Sequence, residues 1–297
     1  MAAPTAPTLA TIVSEGLQKA GYGNPTSALT SRAQDYWMEE IKNDIWQLGK
    51  RLKSLQVTAA GVLINGQSKY AFPSDFSSPI SVQLMYGTHT GTAQAGASGS
   101  VTLASTEDIS ETDILGKEIL ITSGTGINSL SQCIGYNTST KVASVTPAWA
   151  TNPTSGSGYM IIDTYYPLTQ AHVMHYDTLA TPTTQSIPTH YYPTGDSDSG
   201  EYLLYPVPYV ASGVLGVKIR YYADLTLLDL ASTTMSTLYR RWRNVFIQGI
   251  YARGLMNNDD AGAEVQMSNY YNLMKLMISQ ETYGSDLSNI TMQVVDY

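Results

Sequence analysis

The chain has 297 residues and a formal charge of −8, and only 13% of it is charged, against about 25% in a typical globular protein. That length supports one large domain or two smaller ones with a true core and no disulfide staple, and the single cysteine, Cys133, has no partner within the chain. The acidic balance argues against general phosphate binding, no apolar run approaches the roughly 18–20 residues of a membrane span, and the opening Met-Ala-Ala-Pro-Thr-Ala-Pro-Thr lacks the basic-then-apolar layout of a signal peptide, so a soluble protein made in a cytoplasm is expected.

The first predicted element is a short helix over residues 8–20, with Leu9, Val13 and Leu17 at i+4 steps, a threonine at the cap and Gly21 past the end. Asn24-Pro25-Thr26-Ser27 breaks the chain and restarts it. A long helix is then expected over residues 32–55, because Trp37, Ile41, Ile45, Leu48, Leu52 and Leu55 recur at steps of four, four, three, four and three. Asp35, Glu39, Glu40 and Asp44 come early in it and Lys50, Arg51 and Lys53 late, the order that suits the helix dipole.

Gly61, Asn65-Gly66 and Pro73 punctuate two short extended pieces, and residues 80–86 read as a strand. From about 88 to 163 the composition turns to Gly, Ser and Thr, with apolar runs at 101–103, 118–122, 133–136 and 142–145 and turn signals at 123–126, 137–139 and 152–153. These predict an inserted all-β domain, a small barrel or sandwich. Beyond it, residues 202–207 and 215–223 read as strands, the latter with Leu215, Val217, Ile219 and Tyr221 alternating with Gly216, Lys218 and Arg220. The Tyr-, Thr- and Pro-rich stretch 178–200 is long for a loop and is a candidate contact surface.

Two helices are expected to close the chain. The first, about 234–254, carries Leu238, Trp242, Val245 and Gly249 in register; the second, about 261–281, carries Tyr270, Leu273, Met274, Met277 and Ile278, with Asn257-Asn-Asp-Asp260 as the turn between them. In the tail 283–297, Ile290, Met292 and Val294 alternate like a strand added to a neighbour's sheet. The whole reads as α+β: a helical bundle with short antiparallel strands and the β insertion. Its segments are 1–87 and 164–297 for the bundle, and 88–163 for the insertion.

Candidate chemistry is sparse. His172 and His175 form an HxxH that, with His89 and His190, accounts for every histidine, but its surroundings are Tyr-rich and read as extended, so no metal is assigned. Asp196-Ser-Asp198-Ser-Gly200-Glu201 imitates the first half of a calcium loop, yet Val207 stands where the closing carboxylate belongs, and an acidic turn is the simpler reading. The glycine runs at 87–99 and 123–126 lack a following Lys-Ser or Lys-Thr and a helix, so they are turns. Nothing singles out a catalytic carboxylate pair; no enzyme activity and no cofactor are expected. Trp37, Trp46 and Trp242 are read as core anchors, and the 22 tyrosines suit subunit contacts. Nine of the sixteen lysines and arginines fall in residues 32–53 and 240–253; solvated helix faces are the plain reading, a contact with DNA or an acidic partner the sharper one.

The order of elements, with Trp46-Gln-Leu48, Tyr70-Ala-Phe-Pro-Ser-Asp-Phe76, Tyr221-Tyr222, Trp242-Arg-Asn-Val-Phe-Ile-Gln-Gly249 and Tyr270-Tyr271, resembles the head-to-tail adaptor (connector) proteins of short-tailed bacteriophages, the tail accessory factors under the portal. The resemblance covers about residues 8–86 and 200–280; the insertion departs from it. It implies a virion protein of the neck, assembled in the host cytoplasm. It also implies a homo-oligomeric ring of twelve on the portal protein that receives tail nozzle and fibre proteins, with viral DNA passing through without sequence-specific binding and no membrane partner. On that basis the tail, with Asp286, Ile290, Met292, Val294 and Tyr297, is assigned to portal docking. Lys50, Arg51, Lys53, Arg240, Arg241 and Arg243 are assigned to interfaces or a local DNA contact. Two other classes stay open: a carbohydrate- or host-binding module stacking sugars on Trp149, Tyr136 and Tyr159 of the insertion, and a wall-degrading enzyme.

Overall fold

The computed structural model describes residues 8–48, 51–179, 181, 183–194, 200–209, 214–224 and 237–282. The architecture is mixed α+β, and the chain divides into two compact units, Met1–Gln56 with Tyr222–Tyr297, and Val57–Tyr221.

In the helical unit, α1 (Leu9–Lys19) starts where the Thr8 hydroxyl accepts a hydrogen bond from the Thr11 amide, and it buries Leu9, Ile12, Val13, Gly16 and Leu17. Thr26 caps α2 (Ser27–Arg32) in the same way, and the backbone runs through a π-helical turn at Ala33–Trp37 into α3 (Met38–Leu48). The expected continuation to residue 55 does not form: Leu52 is extended, at φ −78° and ψ 134°, and a 3-10 turn covers Lys53–Leu55. Leu52 and Leu55 are nevertheless buried in the same core as Ile41 and Ile45. An apolar stripe reports which side chains go inside, and a turn that drops two leucines into the core satisfies it as well as a longer helix does.

The β unit follows with β1 (Gln56–Leu63), β2 (Lys69–Ala71), β3 (Phe76–Gly87), β4 (His89–Thr92), β5 (Ala95–Ala97), β6 (Ser100–Thr102), the short α4 (Glu111–Ile114), β7 (Glu118–Ser123), β8 (Leu130–Asn137), β9 (Val142–Thr146) and β10 (Gly158–Ile161). Next come β11 (Thr164–Pro167), β12 (Thr169–Gln170), α5 (Val173–Asp177), β13 (Gln185–Ser186), β14 (His190–Thr194), β15 (Glu201–Tyr205), β16 (Val207–Pro208) and β17 (Val214–Ala223). Strands β4 to β10 make one seven-stranded sheet, in the order β4-β10-β7-β8-β9-β6-β5, antiparallel at every pairing. Its core holds Val101, Ile119, Ile121, Cys133, Val145 and Tyr159. Period-two burial explains the sheet: along β8, Ser131, Cys133 and Tyr136 point inward, and a bulge between Cys133 and Gly135 adjusts the register and leaves Ile134 outside. The β8–β9 turn forms because the Asn137 side chain accepts from the Ser139 and Thr140 amides, both at 3.0 Å.

Two four-stranded sheets complete the unit, β1-β17-β3-β11 and β12-β14-β15-β2, with a two-stranded pair β13-β16. The stretch 178–200 is therefore not all loop, since β14 pairs with β15 across His190↔Tyr205 to Thr194↔Glu201. Phe72 and Phe76, from the aromatic segment after β2, stack at 3.9 Å between ring centroids, and the Tyr221 hydroxyl donates to Asp75 at 2.6 Å.

The helical unit resumes with α6 (Thr237–Arg241), α7 (Arg243–Asn257) and α8 (Ala263–Glu281). One helix was expected over 234–254; residues 234–236 lie outside the described range, and the helix breaks at Trp242, at φ −112° and ψ 26°. The indole N–H of Trp242 donates to Glu281 there, and the Trp242 amide still bonds the Leu238 carbonyl, so the register of the stripe survives the break. Helices α1, α3, α7 and α8 share one core, in which Trp37 is buried while Trp46 and Trp242 pack half-buried against it.

Candidate functional site

Two charged clusters organise the helical unit. Helix α3 carries Glu40 and Asp44 one turn apart, and α7 carries Arg253 one turn beyond Gly249. The Arg253 Nε donates to Glu40 at 2.7 Å and its Nη2 to Asp44 at 2.8 Å, while the Tyr270 hydroxyl of α8 donates to the same Asp44 oxygen at 3.0 Å. The guanidinium also lies over the Tyr270 ring. Burial pushes the Tyr270 phenol up, and the Asp44 carboxylate pushes it further. This arrangement ties three helices together without leaving any of the ions alone.

The second cluster surrounds Glu281, the last residue of α8, whose side chain is fully buried. It accepts from the Ser54 amide at 3.1 Å and hydroxyl at 2.6 Å and from the Trp242 indole at 2.7 Å, and Arg241 pairs with it at 3.1 Å. Burial alone would push its carboxyl up, but the bonds from Ser54 and Trp242 and the Arg241 charge outweigh that and hold it below the usual carboxylate range.

Glu281 therefore draws together the two basic stretches that the sequence separates. Ser54 follows Lys53, Trp242 follows Arg241, and Arg51 and Arg240 are exposed nearby in sequence. Arg243 is turned differently, pairing with Glu15 of α1. Lys50 and the tail residues Asp286, Ile290, Met292, Val294 and Tyr297 lie outside the described residues, but the base of the tail does not: the Thr282 amide bonds the Ile278 carbonyl at 2.9 Å.

In the β unit, the histidines of the HxxH serve separate local bonds. His172 caps α5 by accepting from the Met174 amide, His175 meets the Tyr192 hydroxyl at 3.0 Å, and His190 meets Thr189 at 2.9 Å. The imitation calcium loop is divided: residues 195–199 lie outside the described range, Glu201 pairs with Lys69 at 2.6 Å, and Val207 is buried. Trp149, Tyr136 and Tyr159, the proposed sugar platform, are all core residues with 4%, 6% and 1% exposure, so none offers a ring face to a ligand. The Trp149 indole bonds the Ser100 carbonyl, and the Tyr159 hydroxyl bonds Glu107.

The hubs Arg253 and Glu281 were not singled out as sites in the sequence, although each sits on an apolar stripe: Arg253 follows Val245 and Gly249 at i+4, and Glu281 follows Met274, Met277 and Ile278. A charge in a stripe signals a buried ion with a partner elsewhere.

Among the described residues no helix is long and apolar enough to cross a membrane. No curated protein matches the chain. The family profile described as SU10 adaptor protein matches residues 8–292, running through both units. The chain therefore belongs to the SU10 adaptor protein family: it is a phage adaptor, a structural component of the virion that associates with other virion proteins.

Proposed function

We propose that this adaptor forms the head-to-tail ring of a short-tailed phage: a homo-oligomer, expected to be a dodecamer, that binds the portal protein, extends the DNA channel and receives the tail nozzle and fibre proteins. The family match across residues 8–292 carries this reading. Two features of the helical unit support it. Glu281 anchors the root of the segment 283–297 in the core, so a tail that docks in the portal would pull on a fixed point rather than on a fraying helix end. Arg241 pairs with Glu281 at that root, and Arg51, Lys53 and Arg240 lie within a few residues of its partners in sequence, so the two basic stretches can serve acidic partner groups at a subunit interface or a local stretch of DNA. A net charge of −8 with many of the cations held in two stretches avoids uniform attraction to DNA phosphates, as free passage of DNA through the ring would require.

The test is native mass spectrometry or electron microscopy of the protein alone and mixed with its portal ring. A ring of twelve assembled on the portal is the expected result; failure to join the portal overturns the proposal. Deleting 283–297 should abolish portal binding with the helical core still folded. Unaltered binding by the truncated chain would remove the docking role of the tail.

A further inference from the structure

The seven-stranded sheet contains a cluster that the proposed function does not call on. His89 opens the edge strand β4, and Glu107 and Asp108 lie in the segment between β6 and α4. The His89 Nδ1 is 2.8 Å from a Glu107 oxygen and 3.9 Å from an Asp108 oxygen, and one ligand atom of each residue lies within 4.8 Å of the others. Among the described residues this is the one such group of three His, Cys, Asp or Glu side chains. Metal–ligand bonds of about 2.0–2.2 Å in a tetrahedral site put neighbouring ligand atoms roughly 3.3–3.6 Å apart, a spacing this trio brackets.

The cluster is built from behind. The Ala104 amide donates to the Tyr159 hydroxyl at 3.1 Å, and that hydroxyl donates to the second Glu107 oxygen at 2.8 Å, which leaves the first oxygen to face His89. Gly91 makes room for this ladder, since a Cβ there would lie 2.7 Å from the Tyr159 oxygen. Such outer bonds fix a ligand's orientation. Glu107 is buried, yet among the described residues no lysine or arginine pairs with it, and its side-chain partners there are His89 and the Tyr159 hydroxyl. A buried carboxylate needs a compensating cation. Asp108, by contrast, is 91% exposed, so it can swing in to close the site. In front lies an open cleft of about 470 Å³ lined by hydroxyls, among them Thr88, Thr90, Thr92, Ser105 and Thr106.

We propose that His89, Glu107 and Asp108 bind a first-row divalent cation of the zinc class, with a remaining coordination position facing the cleft and open to water or to an oxygen ligand of a partner. One imidazole nitrogen with two carboxylate oxygens favours zinc over calcium or magnesium, which take oxygen alone. The site lies wholly in the β unit and does not depend on ring formation.

The test uses the full-length protein stripped of metal by a chelator, titrated with cobalt(II) and followed by its visible absorption, then with zinc in competition and by native mass spectrometry. One cation per chain is expected, with zinc displacing cobalt. His89→Ala should weaken binding on the order of a hundredfold, Asp108→Asn and Tyr159→Phe about tenfold each, and the double variant H172A/H175A should bind like wild type. If His89→Ala does not fold, Asp108→Asn decides, because that side chain is exposed. No binding at millimolar zinc, or binding that survives D108N unchanged or is lost in H172A/H175A, overturns the proposal.

Discussion

Both units bury ions, but they balance them from different sources. In the helical unit, the buried Arg253 reaches Glu40 and Asp44 from 213 and 209 residues away, and Arg241 reaches the buried Glu281, so each buried ion meets a fixed charge of opposite sign. In the β unit, Glu107 has a tyrosine and a histidine drawn from one sheet and no arginine or lysine among the described residues. The first arrangement is a latch, which closes the chain's two ends into one bundle. The second leaves an acid whose strongest available partner is a cation from solution, and that is the character of a binding site.

Arg253→Ala should break the latch most severely. It leaves Asp44 and Tyr270 facing a gap, and with Glu40 still able to reach water the expected loss is about 3 kcal/mol, read as a shifted midpoint in urea unfolding. Paired glycine substitutions sharpen the contrast. Gly249→Ala puts a Cβ 2.7 Å from Ile41 Cδ1, and Gly91→Ala puts one 2.7 Å from the Tyr159 hydroxyl. Each should cost about 2 kcal/mol, but only Gly91→Ala should weaken zinc binding in the cobalt competition.

Glu281→Gln should cost about 1–2 kcal/mol at neutral pH, because charged hydrogen bonds are exchanged for neutral ones. The folded carboxyl titrates below its unfolded value of about 4.3, so its contribution is complete above that pH and is lost as pH falls through the lowered folded value. The stability gap between wild type and variant should thus hold from pH 7 down to about 4.3 and close in more acid solution; a gap unchanged in acid would show that the carboxylate form is not what matters. The smallest effect belongs to Trp242→Phe, which removes one indole bond to Glu281 and should cost about 1 kcal/mol in the same denaturation assay.

Much of the helical unit was readable because its positions repeat. Val13 and Leu17 in α1, Ile41 and Ile45 in α3 and Met274 and Met277 in α8 occupy buried faces that a 3.6-residue period marks out. The same period also carried the reading too far. Leu52 and Leu55 continue the stripe, yet Gly49 follows Leu48 in the sequence and is the ordinary sign of a helix end, a stop that the periodicity overrode. In the sheets, alternation located β7, β8 and β9, whereas β4 and β5, with His-Thr-Gly-Thr and Ala-Gly-Ala, carry almost no apolar signal. They are strands because β10 and β6 supply their hydrogen bonds.

Sites followed the same division. The basic stretches were visible as runs of charge, but their convergence on Glu281 depends on residues 54, 241, 242 and 281 meeting, which no local spacing can express. Trp149, Tyr136 and Tyr159 looked like a ligand platform and proved to be core: the tyrosines because an aromatic in an alternating strand faces whichever side the register assigns it, Trp149 because the loop after β9 folds its indole onto the Ser100 carbonyl.

The sequence by itself determined the class of the protein: two kinds of segment with different periods, a sparse acidic surface and an order of elements that resembles phage adaptors. The first two are properties of residue type and spacing, and the third is a resemblance carried by motifs such as Tyr70-Ala-Phe-Pro-Ser-Asp-Phe76, so all three precede any folding. Only the tertiary structure decided which charges are neutralised and by what. Burial makes an ion costly and its partner obligatory, and both conditions arise only when the chain has closed on itself.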